Sequence, residues 1–405
     1  MTTTPDRVRR DTVRLLAGWR RTGKPADFAE HRARYGPLPL TGSLIEQVEA
    51  AGLRGRGGAG FPTAVKLRAV ASRRGKPVVI ANGCEGEPVS HKDNALLSVA
   101  PHLVFDGAQL AAHAVGAGSV LLCVHRDGPL AANVASALAQ RHGDPVPVRI
   151  IEVPARFVAS EESALVNFVN TGIAKPTAKP PRPFERGVRG KPTLVDNVET
   201  LANLALIARG GGAADSMLVT VGGAVHGGGV HEVATGSQLG AVLAAAGGET
   251  EPLQAVLAGG YGGSWVPYPN MVALNDIRGV GLLLALPVRA CGITETAAVL
   301  RYLAGESARQ CGPCMFGLPA IAEDFATLAR GRADRTTMHR LHGRLGVIPG
   351  RGACAHPDGA VRLAASALRV FERDVLAHAT GRPCAFASGR SRLVPNQRFS
   401  ETGWS

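Results

Sequence analysis

Arg54-Gly55-Arg56-Gly57-Gly58-Ala59-Gly60-Phe61-Pro62-Thr63 carries four glycines within six positions, more than a turn requires. Glycine reaches φ > 0 without a Cβ penalty and lets a ligand approach the main chain closely. Consecutive N–H groups in such a loop form a nest for an anion. A helix starting just downstream adds free N–H groups and the positive end of its dipole. Arg54, Arg56 and Lys66 place cationic side chains around the loop. The spacing predicts a phosphate-cradling loop, with a flexible surface turn as the competing reading. It is neither GxxxxGK[ST] nor a clean GxGxxG, which disfavours ATP and an ordinary dinucleotide site.

Upstream, Thr41 or Ser43 can cap a helix over Leu44, Ile45 and Val48 that closes at Gly52. Downstream, residues 76–81 read as a buried strand leading into Asn82-Gly83-Cys84-Glu85-Gly86-Glu87-Pro88. Two carboxylates and an amide at a strand exit suit a ligand in an open α/β sheet. Residues 102–115 read as a helix, 119–124 as a strand, 130–140 as a helix and 146–153 as a strand. This alternation predicts a parallel sheet covered by helices. Glu161 and Glu162 precede an apolar helix, where carboxylates are also favoured for the helix start alone. Residues 175–186, rich in proline and basic residues, form an extended loop, and Asp196, Asn197 and Thr200 stand before a further helix, where turn chemistry alone could explain the first two.

The chain therefore divides into a helical leader at 1–45, with Val13, Leu15, Leu16 and Trp19 at helical spacing, and a Rossmann-like domain at 46–210. Short β elements with one helix make 215–290 a compact α+β module after the linker at Gly210–Gly212. Four helical segments make 294–384 a small bundle. The polar tail, 385–405, is expected to be loosely held.

Aromatics are only 4% of the 405 residues, so the core must rest on Ala, Val and Leu. The formal charge of +13 points to an acidic partner. No nucleic-acid signature accompanies it, so no nucleic acid is expected. The polar, Arg-bearing start has no apolar signal core, and the most apolar run, 280–288, is too short to span a bilayer. A soluble, cytoplasmic protein is expected. Seven cysteines in such a chain favour metal or cluster ligation over a disulfide framework. Cys311 and Cys314 form a CxxC pair, and Cys354 and Cys384 follow in the same helical third. Soft thiolates at this spacing suit zinc or an iron–sulfur cluster. The alternative makes Cys354 and Cys384 small buried hydrophobes. Cys123 and Cys291, in apolar runs, read as core residues.

The motif order is specific where each motif alone is not. A GRGGAGFPT loop, an Asn…Glu-x-Glu-Pro strand exit, a Glu-Glu pair, a Lys-Pro-Pro loop, an Asn-Val-Glu-Thr turn and a Ser-Ala-x-x-Cys-x-x-Cys bundle follow one another. Over roughly residues 40–380 this resembles the NADH-binding flavoprotein subunit of respiratory complex I and its relatives in NAD-reducing hydrogenases and formate dehydrogenases. The 82–88 segment and the Phe61-Pro62-Thr63 run also resemble the C subunit of the membrane-bound ferredoxin:NAD reductase. The resemblance implies a Rossmann-like FMN-binding domain, a β-grasp module of the soluble-ligand-binding type and a C-terminal four-helix bundle holding a 4Fe-4S cluster. It implies that Gly55, Gly57, Gly58, Gly60, Lys66, Asn82, Glu85, Glu161, Glu162, Asp196, Asn197 and Thr200 surround FMN. It places Phe61, Glu87 and Lys179 toward NADH, with Glu87 and Glu162 as the acidic pair at the catalytic position. Cys311, Cys314 and Cys354 match three of the family's cluster cysteines.

Several positions depart from the family pattern. The first cluster cysteine falls on Ala308, so either no cluster forms or another ligand completes it; Cys384 is the first candidate, ahead of His356 and Asp358. Cys84 replaces an aspartate and Ser160 a glycine, and a side chain at 160 could crowd a backbone that approaches FMN. Two aromatics used against NADH fall on Ala69 and Arg182, with Phe184 nearby as a substitute. The expected activity is electron transfer from NADH through FMN and a cluster to a ferredoxin-like or other acidic partner, one that could itself be membrane-bound. Two other readings are an FMN relay between one-electron carriers that does not use NADH, and a non-enzymatic scaffold.

Overall fold

The computed structural model describes residues 14–126, 128–277, 279–389, 391–395 and 403–404. The leader begins with α1 (Ala17–Thr22), which stops at Gly23 in the left-handed region (φ 68°). α2 (Phe28–Tyr35) starts in a capping box in which Asp27 and Glu30 each bond the other's backbone N–H. The single apolar helix face expected here does not form. Val13 lies outside the described residues, Leu15 and Leu16 precede α1 and are buried, and Trp19 is 42% exposed. The Leu15 and Leu16 N–H groups go instead to the carboxylate of Glu232, at 2.8 and 3.0 Å, far along the chain.

α3 (Leu44–Ala50) and α4 (Thr63–Ala71) flank the glycine loop. The first sheet then builds through β1 (Val78–Asn82), α5 (Lys92–Val99), α6 (Pro101–Val115), β2 (Ser119–His125), α7 (Leu130–Ala139), β3 (Val148–Val153), α8 (Glu162–Thr171), β4 (Thr193–Asn197) and α9 (Val198–Ile207). Strand order is β3-β2-β1-β4, every pair parallel. Successive strands lie to one side of β1 until β4 returns to its other side. That reversal opens a crevice at the carboxyl ends of β1 and β4. The register sets Asn82 opposite Asn197 at its floor. α6 and α9 cross under the sheet so closely that a Cβ at Gly107 would lie 1.8 Å from the Leu201 carbonyl oxygen. Only glycine permits that crossing.

β5 (Ser216–Gly223), β6 (Gly229–Ala234), α10 (Leu239–Ala245), β7 (Leu253–Ala258), β8 (Ser264–Pro267) and β9 (Leu282–Pro287) form the second unit. Its order is β6-β5-β9-β7-β8, with a central parallel pair β5/β9 and antiparallel flanks, a β-grasp arrangement. Side chains alternate across a strand. Leu283 and Ala285 of β9 join a core beneath α10, while Leu282, Leu284 and Leu286 face the C-terminal helices. The module is therefore buried on both faces.

α11 (Gly292–Gly305), α12 (Leu318–Ala329), α13 (Arg335–Val347), α14 (His356–Val370) and α15 (Glu372–Ala379) follow as the last α-helices among the described residues. The last expected segment, 359–378, breaks at Phe371. Its ring packs edge-on to Trp265 at 5.1 Å and occupies the space a side chain at Gly292 would need. The tail is pinned rather than loose where it is described. Glu295, buried in α11, accepts from Ser391 Oγ, Arg392 N and Leu393 N, and the Leu393 carbonyl accepts the Tyr261 hydroxyl. Trp404 stacks under the Arg156 guanidinium at 4.4 Å. No single helix among the described residues is long and apolar enough to cross a membrane; the bent α5/α6 pair reaches the length, but α6 is core.

Candidate flavin and iron–sulfur sites

The glycine loop is a pinched hairpin. Arg54 bridges Pro62, Gly55 N donates to Phe61 O at 2.9 Å, and Thr63 N donates to Leu53 O at 3.0 Å. Gly58 and Gly60 sit at φ 98° and 62°, where other residues are strained. Gly57 is pressed to the floor of the crevice, where a Cβ would stand 3.3 Å from that of Asn197. Thr200 holds the loop from below by accepting Arg56 N at 2.9 Å.

Arg56 does not ring the loop as expected. Its guanidinium turns inward to the Ala214 and Ser216 carbonyls, at 3.2 and 3.1 Å, and toward Glu199 at 3.9 Å. It ties the loop to the β-grasp module. Lys66 stays at the crevice. Its Nζ donates to the Val195 carbonyl and lies 3.4 Å from Asp196 and 3.9 Å from Glu162. Burial pushes the Asp196 carboxyl up, with Lys66 opposing. Glu162 also accepts from Lys179 Nζ at 3.0 Å. Burial alone would raise its carboxyl, but Lys66 and Lys179 outweigh it and hold it below the usual range.

The remaining predicted residues assemble around these, several of them as scaffolding. Asn82 accepts Cys84 N and donates to Ser160 O, at 3.0 and 2.9 Å. Asn197 caps α9 through Glu199 N and donates to Asp93 at 2.8 Å. Glu161 caps α8 through Ser163 N and Ala164 N and pairs with Lys179. Glu85 accepts Ser90 Oγ and Asn94 N, and burial raises its carboxyl. Glu87 is pinned to the β-grasp module by the Tyr261 N–H, shared between its two carboxylate oxygens at 3.0 and 3.1 Å, and burial lifts its carboxyl to about 7 against that bond. The Ser160 hydroxyl folds back on Phe157 O at 3.0 Å, beside Gly86, where a second side chain could not fit. Phe61 is 52% exposed. Phe184 is covered by the Arg73 guanidinium at 5.2 Å and packs on the first core, so its ring is not presented as Phe61's is.

One part of the site carries no motif. Lys92, 7% exposed, places Nζ 2.7 Å from Asp93 and 2.9 Å from Glu199. Burial would lower its ammonium, but the two carboxylates hold it well above its ordinary value. This buried ion cluster sets Asp93, which in turn orients Asn197. Glu199 lies inside the quoted Asn-Val-Glu-Thr turn; Lys92 has no signal beyond an ordinary helix start.

In the helical region, Cys311 and Cys314 open the π-helical turn Pro313–Gly317, a helix irregularity frequent at functional sites. Cys314 is 4% exposed, and burial with the neighbouring Cys311 and Cys354 thiols pushes its thiol far up. Cys354 is raised to about 11, by burial first and partly by Cys311. Ala308 is buried beside Arg309, whose φ of 53° turns the chain there. Asp358 bonds Gly350 N at 2.7 Å and closes its own loop. His356 turns Nε2 to the Leu303 carbonyl at 2.8 Å. Cys384, expected beside the other three thiols, instead lies within 4.8 Å of the ligand atoms of Cys291 and His378. Cys291, expected as plain core, belongs to that group, because the chain after α15 folds back onto the start of α11.

Residues 48–206 match the Nuo51 FMN-binding domain model, and residues 294–378 match the NADH-ubiquinone oxidoreductase-F iron-sulfur binding region. The NADH-quinone oxidoreductase F subunit of Escherichia coli is 29% identical over 87% of this chain and 89% of its own. HndC of Solidesulfovibrio fructosivorans, a component of an NADP-reducing hydrogenase, is 26% identical over 84% and 77%. In the crystal structure of the air-oxidized NAD+-reducing NiFe hydrogenase, a chain superposes with a TM-score of 0.79 at 31% identity over 92% of this chain. In the H2-reduced form the TM-score is 0.77, and this chain spans 68% and 66% of the two hydrogenase chains' own lengths, air-oxidized and H2-reduced respectively. With both matched regions in family order on a shared fold, the chain belongs to the flavoprotein family of the NADH-quinone oxidoreductase F subunit.

Proposed function

We propose that this protein carries electrons from NADH through FMN to a 4Fe-4S cluster and on to an acidic redox partner. The observation that carries the reading is the set of buried polar atoms left unbonded. Five side-chain atoms among the described residues are buried without a hydrogen-bond partner, and two of them, Thr63 Oγ1 and Asp196 Oδ2, border the glycine loop and the β1/β4 crevice. Buried polar groups in native proteins are rarely left so. A phosphorylated, hydroxyl-bearing ligand such as FMN answers that need, so the residues fit the group. The loop amides of Gly57–Gly60 and the Lys66 ammonium would hold its phosphate. Asp196 and the Asn82/Asn197 pair would face its hydroxyls. When bound, FMN takes a hydride from a nicotinamide and releases electrons singly.

Phe61 supplies an exposed flat surface for the nicotinamide nucleotide, while Glu162 and Lys179 stand at the same mouth. Glu87 fixes the β-grasp module against the strand exit. Cys311, Cys314 and Cys354 would hold the cluster with three thiolates, the fourth position being open in this chain. The +13 charge steers an acidic partner such as a ferredoxin. Anaerobically purified protein should be yellow-brown and bleach on adding NADH; a colourless preparation after reconstitution with FMN, iron and sulfide would refute the reading.

Ala69, Arg182 and the covered Phe184 favour a second reading, in which the flavin is a relay that NADH does not reduce. Lost stacking costs about 1–3 kcal/mol per ring on the scale of base–aromatic contacts. Parallel anaerobic titrations with NADH and with reduced ferredoxin decide between the two.

A further inference from the structure

Cys291 ends the loop before α11, His378 lies in the last turn of α15, and Cys384 follows on the returning chain. Their ligand atoms all lie within 4.8 Å of one another. Cys291 Sγ stands 3.6 Å from His378 Nε2. In a tetrahedral zinc site with bonds of about 2.3 Å to sulfur and 2.0–2.1 Å to nitrogen, those two atoms would be about 3.5 Å apart. The imidazole is set for this role. Its Nδ1 faces the Leu328 and Ala329 carbonyls, both at 3.1 Å, and carbonyls only accept, so Nδ1 carries the proton. Its Nε2 is the unprotonated nitrogen, 3.6 Å from Cys291 Sγ. Its single lone pair accepts the Cys384 backbone N–H at 3.2 Å, and a zinc ion would take that lone pair in place of the N–H, with the Cys384 segment shifting to present its thiol. A backbone carbonyl on the far nitrogen is the usual way a metal-ligating histidine is oriented.

We infer that Cys291, His378 and Cys384 form a second metal site, separate from the iron–sulfur cysteines, that holds one zinc ion and clamps the chain's return segment onto the helical bundle. Two thiolates and a neutral imidazole balance the charge of a divalent cation, which suits a pocket where Cys291 is 2% exposed and His378 wholly buried. Cys384 is only half-buried, so the fourth position opens on its side and takes a water molecule. The clamp joins the start of α11 to the end of α15. It lies beside Thr294, whose hydroxyl bonds the Ala387 carbonyl at 3.0 Å and whose N–H reaches Cys291 Sγ at 3.4 Å. The site is independent of the flavin reading, since none of its residues touches the glycine loop.

The test is metal analysis of full-length protein purified without chelators or a histidine tag, for wild type, Cys384→Ser, Cys291→Ser and Cys311→Ser. Wild type should carry about one zinc per chain, and both Cys384→Ser and Cys291→Ser should lose most of it. Cys311→Ser should keep zinc whatever happens to iron. Cobalt exchanged into wild type should show thiolate-to-metal charge-transfer absorption that Cys384→Ser lacks. Should Cys291→Ser fail to fold, the half-buried Cys384→Ser and the cobalt spectrum still decide. Wild type without zinc that takes up neither zinc nor cobalt, zinc fully retained in Cys384→Ser, or a Cys291–Cys384 disulfide in native protein would overturn the inference.

Discussion

Gly57 lies against Asn197 with room for a hydrogen and little more, since a Cβ on the glycine would sit 3.3 Å from the asparagine Cβ. The contact closes the floor of the crevice between β1 and β4. Gly57→Val should lift the loop off that floor without touching either core. FMN retention should fall at least about tenfold, or ~1.4 kcal/mol, with the circular dichroism spectrum unchanged. Flavin stoichiometry after gel filtration measures it.

Lys92 is the only cation bonded to both Asp93 and Glu199 among the described residues. Lys92→Met leaves two buried carboxylates facing each other. Breaking a buried pair from one side costs about 3–5 kcal/mol. Urea denaturation should show a loss on that scale, and FMN binding should weaken in the folded fraction because Asn197 loses its oriented partner Asp93.

Glu87 gives the fold a pH dependence of definite sign. Burial raises its carboxyl from an ordinary 4.5 to about 7, with neighbouring Glu85 adding to the rise and the Tyr261 and Gly262 amides opposing it. The folded state then holds a proton that the unfolded chain has released. The stabilisation is complete below pH ~4.5 and is lost as pH rises through about 7, roughly 3 kcal/mol in all. Glu87→Gln should flatten this part of the stability profile between pH 5 and 7, measured by chemical denaturation at each pH. An unchanged slope would refute the assignment to Glu87.

Iron should depend on Cys311, Cys314 and Cys354 and not on Cys384. Iron and sulfide analysis of anaerobic protein should find Cys311→Ser depleted and Cys384→Ser at the wild-type level. Equal depletion in both would return Cys384 to the cluster.

Ending the chain after Cys384 removes Ser391, Arg392 and Leu393 from Glu295, which is 3% exposed. An acceptor buried without donors costs about 1–3 kcal/mol or more when charged. The truncated protein should melt several degrees lower, by differential scanning calorimetry.

Much of this is legible in the chain itself. The glycine spacing at 55–60, the strand exit at 82–88 and the parallel sheet follow from local patterns, because a strand and a phosphate loop are written in consecutive residues. Other features are not. Arg56 reads as facing the ligand because its position in the loop says nothing of its rotamer, and two carbonyls from the next module capture it. Lys92 gives no sign of its role because Glu199 joins it and neighbouring Asp93 only when α5 packs against α9. Phe184 reads as a spare stacking ring, but Arg73, just past α4, covers it.

The cysteines separate the two kinds of information most clearly. Sequence alone determined that this chain has the loop, the acidic strand exit and the CxxC of a flavin and iron–sulfur protein, since each is a short-range pattern of residue types. It also set Ala308 where the resembled family has its first cluster cysteine, which left either no cluster or a fourth ligand from elsewhere, Cys384 first. Only the tertiary structure decided where Cys384 goes. Ligation depends on distances of a few ångströms between side chains many residues apart, and the return of the chain after α15 brings Cys384 to Cys291 and His378.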